Sequence, residues 1–272
     1  VEHIATALRD RFSLLELTLF SGLFTLFLTG LGASVVLFVR RIKGGFFSFS
    51  LGFSGGIMIS TSFWSLLGPA LEFAQMEHRL CFLPVVIGFI LGMLLLRGLD
   101  VLIPHLHLAS SPREQEGLRM SLKQGILIFL AITIHNIPEG LAIGVSYGSV
   151  VESETHLSSA YNLSLGIGLQ NIPEGLALSL ALINSGISRS RSFLFGFLSA
   201  LVEPIFAILG FGVVSLSRSL LPYFLSLAAG AMIFVTIEEL LPSAQRYGNS
   251  DLTSLGFSVG FLIMMVLDTY FG

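Results

Sequence analysis

Apolar residues run along this chain in long unbroken blocks, not in the period-two or period-3.6 patterns of half-buried strands and helices. Leu17 to Val39 and Gly44 to Leu71 contain no Asp, Glu, Lys or Arg at all. A helix needs about 20 apolar residues to cross the hydrocarbon core of a bilayer. Eight segments meet that length, at 14–39, 49–71, 82–103, 121–149, 157–184, 192–216, 221–245 and 253–271. Short polar breaks divide them, among them Arg40-Arg41-Ile42-Lys43, Glu77-His78-Arg79 and Ser188-Arg189-Ser190-Arg191. Apolar side chains lie all around these segments, as lipid-facing helices require. The pattern predicts an all-α integral membrane protein: a bundle of eight transmembrane helices forming one polytopic domain over residues 1–272.

Composition narrows the function. Of 272 residues, 53% are hydrophobic and 11% charged, against about 25% charged in a soluble domain. Eight spans consume about 160 residues, so the loops are short. A soluble enzyme and a large extramembrane domain are excluded. A net charge of −3 offers no basic surface for nucleic acid. The single cysteine, Cys81, cannot form an intrachain disulfide or a cysteine-based zinc site. The 29 glycines suit close packing of membrane helices. The N-terminal apolar stretch is too long for a signal peptide and no small-residue cleavage site follows it, so it is expected to be the first helix.

Basic residues suggest an orientation. Arg40, Arg41, Lys43, Arg113, Arg119, Lys123, Arg189, Arg191 and Arg246 share one side; Arg9, Arg11, Arg79 and Arg218 share the other. Nine against four places the first group in the cytoplasm. Both termini are then extracytoplasmic, in a multi-pass protein of a cell membrane.

The acidic residues carry the chemistry. A carboxylate at mid-bilayer costs roughly 2.5–3.5 kcal/mol on insertion scales. Yet Glu139, Glu174 and Glu203 interrupt the fourth, fifth and sixth spans, with Asp100, Glu238, Glu239 and Asp268 in others. Arg97, the one basic residue deep in a span, is placed to pair with Asp100 one turn on. The other carboxylates need a cation, either protons or a metal ion.

Two of them lie in copies of one element. His135-Asn136-Ile137-Pro138-Glu139-Gly140 in the fourth span is repeated as Gln170-Asn171-Ile172-Pro173-Glu174-Gly175 in the fifth. Positions i and i+4 share a helix face, so His135 and Glu139 can hold one ion, with Asn136 converging on it. Gln170, Asn171 and Glu174 repeat the geometry. Pro138, Pro173 and Pro204 each free a carbonyl four residues back. All three spans are therefore expected to break beside their glutamate, as in transport sites built on discontinuous helices.

At these residues the chain resembles the ZIP (Zrt/Irt-like protein) family of divalent-metal transporters. Supporting matches are Met58 to Ser65, Asp100 to His107, Val202-Glu203-Pro204 and Glu238-Glu239-Leu240-Leu241-Pro242. The short connection between spans three and four is similar to the bacterial branch. The resemblance implies two adjacent metal positions: His135, Glu139, Gln170 and Glu174 at one, and Asn136, Glu139, Asn171, Glu174 and Glu203 at the other. Glu139 and Glu174 would bridge them. It implies that Met58 and Ser65 lie near the site and its outer approach. Asp100, His105, His107 and Glu239 would line a cytoplasmic release route. Family members are thought to move the helix bundle carrying the site against a second bundle, and often form homodimers. The expected cargo is zinc, with iron, manganese and cadmium as alternatives, and no prosthetic group. Many members have His and Asp or Glu where this chain has Gln170 and Asn171, and oxygen-rich sites suit harder ions such as manganese and ferrous iron.

Two other readings use the same residues. An intramembrane metal-dependent hydrolase would want two or three histidines at its zinc, and only His135 lies deep in a span. A proton-coupled carrier of a small organic cation would use the carboxylates as proton relays.

Overall fold

The computed structural model describes residues 9–39, 43–77, 80, 82–108, 115–117, 123–150, 156–246 and 249–271. Among them eight helices are long and apolar enough to cross a membrane. They are α1 (Leu14–Phe38), α2 (Gly44–Met76), α3 (Phe82–Leu102), α4 (Gln124–Ser149), α5 (His156–Asn184), α6 (Arg189–Leu216), α7 (Leu221–Arg246) and α8 (Ser250–Tyr270). Arg40, Arg41, Arg79, Arg113 and Arg119, which carry much of the charge asymmetry, lie outside the described residues, as do Cys81, His3 and His78.

Local chemistry sets several helix ends. Ser13 and Glu16 form a capping box at the start of α1, with Ser13 N–H donating to Glu16 Oε2 at 2.7 Å. That satisfies backbone donors no earlier turn can reach. Pro222 opens α7, where its missing N–H costs nothing.

Apolar burial does little to hold helices together in lipid, because lipid tails are as apolar as leucine. Glycine contacts bring the backbones close instead. A Cβ on Gly52 or Gly56 of α2 would strike the Thr253 or Phe257 carbonyl of α8. Gly88 and Gly92 of α3 meet α7 at Tyr223 and Leu227 in the same way. Gly140 and Gly144 of α4 receive α6, and Gly32 of α1 receives α5 at Ile172. The result is two groups: α1, α4, α5 and α6, and α2, α3, α7 and α8. Exchanging α1 with α6, α2 with α7, α3 with α8 and α4 with α5 maps the four closest pairs onto one another, the signature of an internal repeat.

Two expectations change. Pro138 and Pro173 do not break their helices; α4 and α5 run through them, because packed neighbours and adjusted ladders absorb proline in membrane helices. Only α6 is interrupted, between Ser199 and Val202. The Arg97–Asp100 pair also does not form. Asp100 points inward and is buried, with Oδ1 3.8 Å from His105 Nε2. Arg97 reaches outward to Glu238 at 3.4 Å, keeping its charged head near water.

Glycine at the α4–α6 contact is open to test. Gly144→Leu drives a side chain into the Ala207 carbonyl and is expected to cost about 1–3 kcal/mol or more by overpacking. At Gly98 nothing lies within 4 Å of the position a Cβ would take, so alanine there should leave stability unchanged or slightly raised. Thermal unfolding of the purified variants separates the two; equal losses would contradict the packing account.

Candidate metal centre

The duplicated element explains its own residue order. Its glutamates are followed by Gly140 and Gly175, which admit the Glu203 backbone of α6 and the Thr29 carbonyl of α1 respectively. Each glycine thus seats a neighbouring helix beside the carboxylate. Glu203 stands in the first turn after the break in α6, where the helix N-terminus favours negative charge. Glu139 and Glu203 are fully buried, as are Gln170 and, within a few per cent, Asn136, Asn171 and Glu174.

Amides face carboxylates across the α4–α5–α6 interface. Gln170 Nε2 donates to Glu139 Oε1 at 2.7 Å. Asn171 Nδ2 lies 2.9 and 3.0 Å from the two oxygens of Glu203, and the Thr25 side chain of α1 lies beside the same carboxylate. The charged neighbours of these glutamates among the described residues are one another, His135 and Glu239. Several buried atoms have no hydrogen-bond partner: Glu139 Oε2, Glu174 Oε1, Gln170 Oε1, Asn171 Oδ1 and Asn136 Nδ2. An unpaired polar atom in such a place costs about 1–3 kcal/mol. Four of these five atoms are oxygens able to ligate a cation.

His135 looks the other way. Its Nε2 is 2.6 Å from Glu239 Oε2 on α7, and His107 Nδ1 approaches the same oxygen at 2.9 Å. Both contacts pair an imidazole with the one carboxylate oxygen. The chain of ligands continues outward. His107 Nε2 lies 3.2 Å from Glu116 Oε1. His105, His107 and Glu116 place ligand atoms within 4.8 Å of one another, the one such trio among the described residues. A two-residue bridge pairs the backbones of His105 and Glu116, and Gly117, at φ +75°, brings its backbone against Ile103. Glu116 carried no signal in the sequence beyond an acidic residue in a polar break.

The remaining sequence candidates sit on α2. Met58 is buried, with its sulfur 3.5 Å from Thr236 Oγ1. Ser65 donates to Asp268 Oδ1 at 2.8 Å, giving a place to a carboxylate the sequence marked only as misplaced charge. Thus Glu139 joins Gln170, Glu203 joins Asn171, His135 joins Glu239 and His107, and Met58 and Ser65 stand apart from all three groups.

Comparison with known proteins decides the family. The model for the ZIP zinc transporter family matches residues 105–268. The chain is 36% identical to "Zinc transporter ZIP11" of Bos taurus, over 92% of this chain and 95% of that one. It is 37% identical to "Zinc transporter GufA" of Myxococcus xanthus, over 90% and 94%. It is 32% identical to "Zinc transporter ZupT" of Chlorobium phaeovibrioides, over 94% and 97%. The chain belongs to the ZIP zinc transporter family. ZIP proteins and these relatives are transporters, not enzymes. The family match runs from His105 to Asp268, so it spans the duplicated element and the bridged pair His105 and Glu116 of this ZIP chain.

His107 lies between spans, and its charge has consequences for stability. Burial alone would lower its pKa, but contact with Glu239 and Glu116 raises it from 6.5 to about 9. The stabilisation is fully present below pH 6.5 and is lost as pH rises through about 9. Raising the pH from neutral through that range should therefore lower the melting temperature more in wild type than in His107→Gln. Identical profiles would show that the histidine is not paired in solution.

Proposed function

We propose that this protein carries zinc across a cell membrane into the cytoplasm, with cadmium, manganese and ferrous iron as competing cargo. The observation that carries the reading is the cluster of buried, unpartnered ligand oxygens on Glu139, Glu174, Gln170 and Asn171, beside the buried carboxylate of Glu203. A divalent cation satisfies all of them at once; a proton satisfies one. The names of the relatives support zinc.

In this reading His135, Glu139, Gln170 and Glu174 bind one ion, and Asn136, Glu139, Asn171, Glu174 and Glu203 a second beside it. Three glutamates supply a charge of −3, so a second divalent ion leaves the cluster positive and binds more weakly. His135 exchanges Glu239 for the cargo when an ion is bound. Glu239, His107, Glu116, His105 and Asp100 then form the descending ligand series toward the cytoplasm. Ser65 and Asp268 lie on the outer approach, with Met58 on the way in. Both termini are extracytoplasmic, and the exposed apolar faces of α3 and α8 are available to lipid or to a second copy in a homodimer.

Two measurements test the assignment. Glu174→Gln keeps shape and removes charge; zinc uptake by proteoliposomes should collapse while the protein remains folded. Wild-type uptake in that variant would end the shared-carboxylate scheme. Binding should also weaken from neutral to mildly acidic pH, because the carboxylates must be ionised and His135 neutral to ligate metal. An affinity indifferent to pH over that range would contradict a carboxylate–imidazole site. The same vesicles, offered zinc, cadmium, manganese and ferrous iron in turn, rank the cargo.

A further inference from the structure

A carrier that takes up metal against none on the far side must return without it. The glutamates then cross the hydrocarbon, where an unneutralised carboxylate is strongly disfavoured. The two amides of the second motif copy bear on that step. Gln170 Nε2 donates to Glu139 Oε1 at 2.7 Å, and Asn171 Nδ2 brackets Glu203 at 2.9 and 3.0 Å. Each amide is fully buried or nearly so, and each keeps its carbonyl oxygen buried and unpartnered. A half-turn about the terminal torsion therefore exchanges an N–H donor for an oxygen ligand in place. Lysine or arginine would hold the carboxylates more strongly but cannot become a ligand, having no acceptor. A carboxylate at either position would ligate metal but cannot donate when ionised.

We propose that Gln170 and Asn171 stand in for the metal during the return step: their N–H groups hold Glu139 and Glu203 when no cation does, and their oxygens turn to the cation when it arrives. This rests on the transport reading above and adds a division of labour within the site. The glutamates set affinity for the cargo. The amides set how readily the site moves without it. The scheme uses hydrogen bonds alone and requires no group to titrate.

Gln170→Glu and Asn171→Asp each remove a donor, keep a ligand oxygen and add a charge. The test compares two fluxes in proteoliposomes containing wild type or either variant. One is radiolabelled zinc exchange with equal zinc on both sides. The other is net uptake into a zinc-free lumen. Exchange cycles only the loaded carrier; net uptake also needs the unloaded return. Losing a hydrogen bond to a charged group is expected to slow net uptake about tenfold or more relative to exchange. Exchange and net uptake falling by the same factor, or neither falling, would overturn the inference. Wild-type vesicles with no zinc flux in either mode would remove the transport reading itself. Melting of the purified proteins gives a readout independent of flux. In chelator, each variant should unfold at a lower temperature than wild type, and saturating zinc should close that gap. Equal melting of variant and wild type in chelator would also overturn the inference.

Discussion

Glu139, Glu174 and Glu203 are buried between helices of a membrane protein, and their nearest charged neighbours are one another, His135 and Glu239. Three carboxylates repelling one another in a medium of low dielectric demand local support. The surrounding residues supply it. Amide N–H groups point at two of the carboxylates. The break in α6 puts Glu203 at a helix N-terminus, whose free N–H groups favour an anion. His135 is held by Glu239 from the opposite group of helices. None of these devices fully neutralises the cluster, and the proposed metal site rests on that remaining charge.

The same contacts divide the molecule. Within each group of four helices, glycines let backbones touch, and those contacts tolerate no sliding. Between the groups, polar links among the described residues include three. Ser54 of α2 donates to the Gln170 carbonyl at 2.8 Å, Asn162 of α5 donates to the Leu267 carbonyl at 3.0 Å, and His135 meets Glu239. A neutral hydrogen bond contributes only about 0.5–1.5 kcal/mol, so the Ser54 and Asn162 links hold the groups to each other only weakly. The Ser54 and Glu239 links fall on residues of the duplicated element, Gln170 and His135.

Much of this was legible in the sequence because the bilayer leaves few options. Hydrocarbon forces backbone groups into helices, and long uncharged blocks such as Leu17 to Val39 have no other reading. The site was legible because carboxylates are costly there, so Glu139 and Glu174 in matching contexts stand out. What lay hidden depends on rotation and tertiary partners. The i, i+3 spacing of Arg97 and Asp100 suggested a pair, but the helix turns Asp100 inward and Arg97 out to Glu238. Spacing set His135 beside Glu139 on one face, yet the ring's χ angles turn it to α7. Proline in α4 and α5 looked like a break because the ladder is judged locally, whereas neighbouring helices restrain the bend. Glu116 becomes visible only when the Gly117 turn folds it onto His105 and His107.

The π-helical turns belong to that hidden set, and they occur twice. Ser62–Leu67 in α2 and Thr236–Leu240 in α7 each widen the helix by a residue. In each case the carbonyl four residues before the turn accepts both the N–H and the hydroxyl of the turn's first residue. Ser62 Oγ donates to the Met58 carbonyl and Thr236 Oγ1 to the Met232 carbonyl, both at 2.8 Å and both four residues back. The turns carry Ser65, which meets Asp268, and Glu239, which meets His135. A polar side chain of each turn is thereby aimed at another helix, Ser65 at α8 and Glu239 at α4. The device is repeated on α2 and α7, the helices that the internal repeat exchanges, so both halves of the molecule use one local solution to direct a polar side chain at a neighbouring helix.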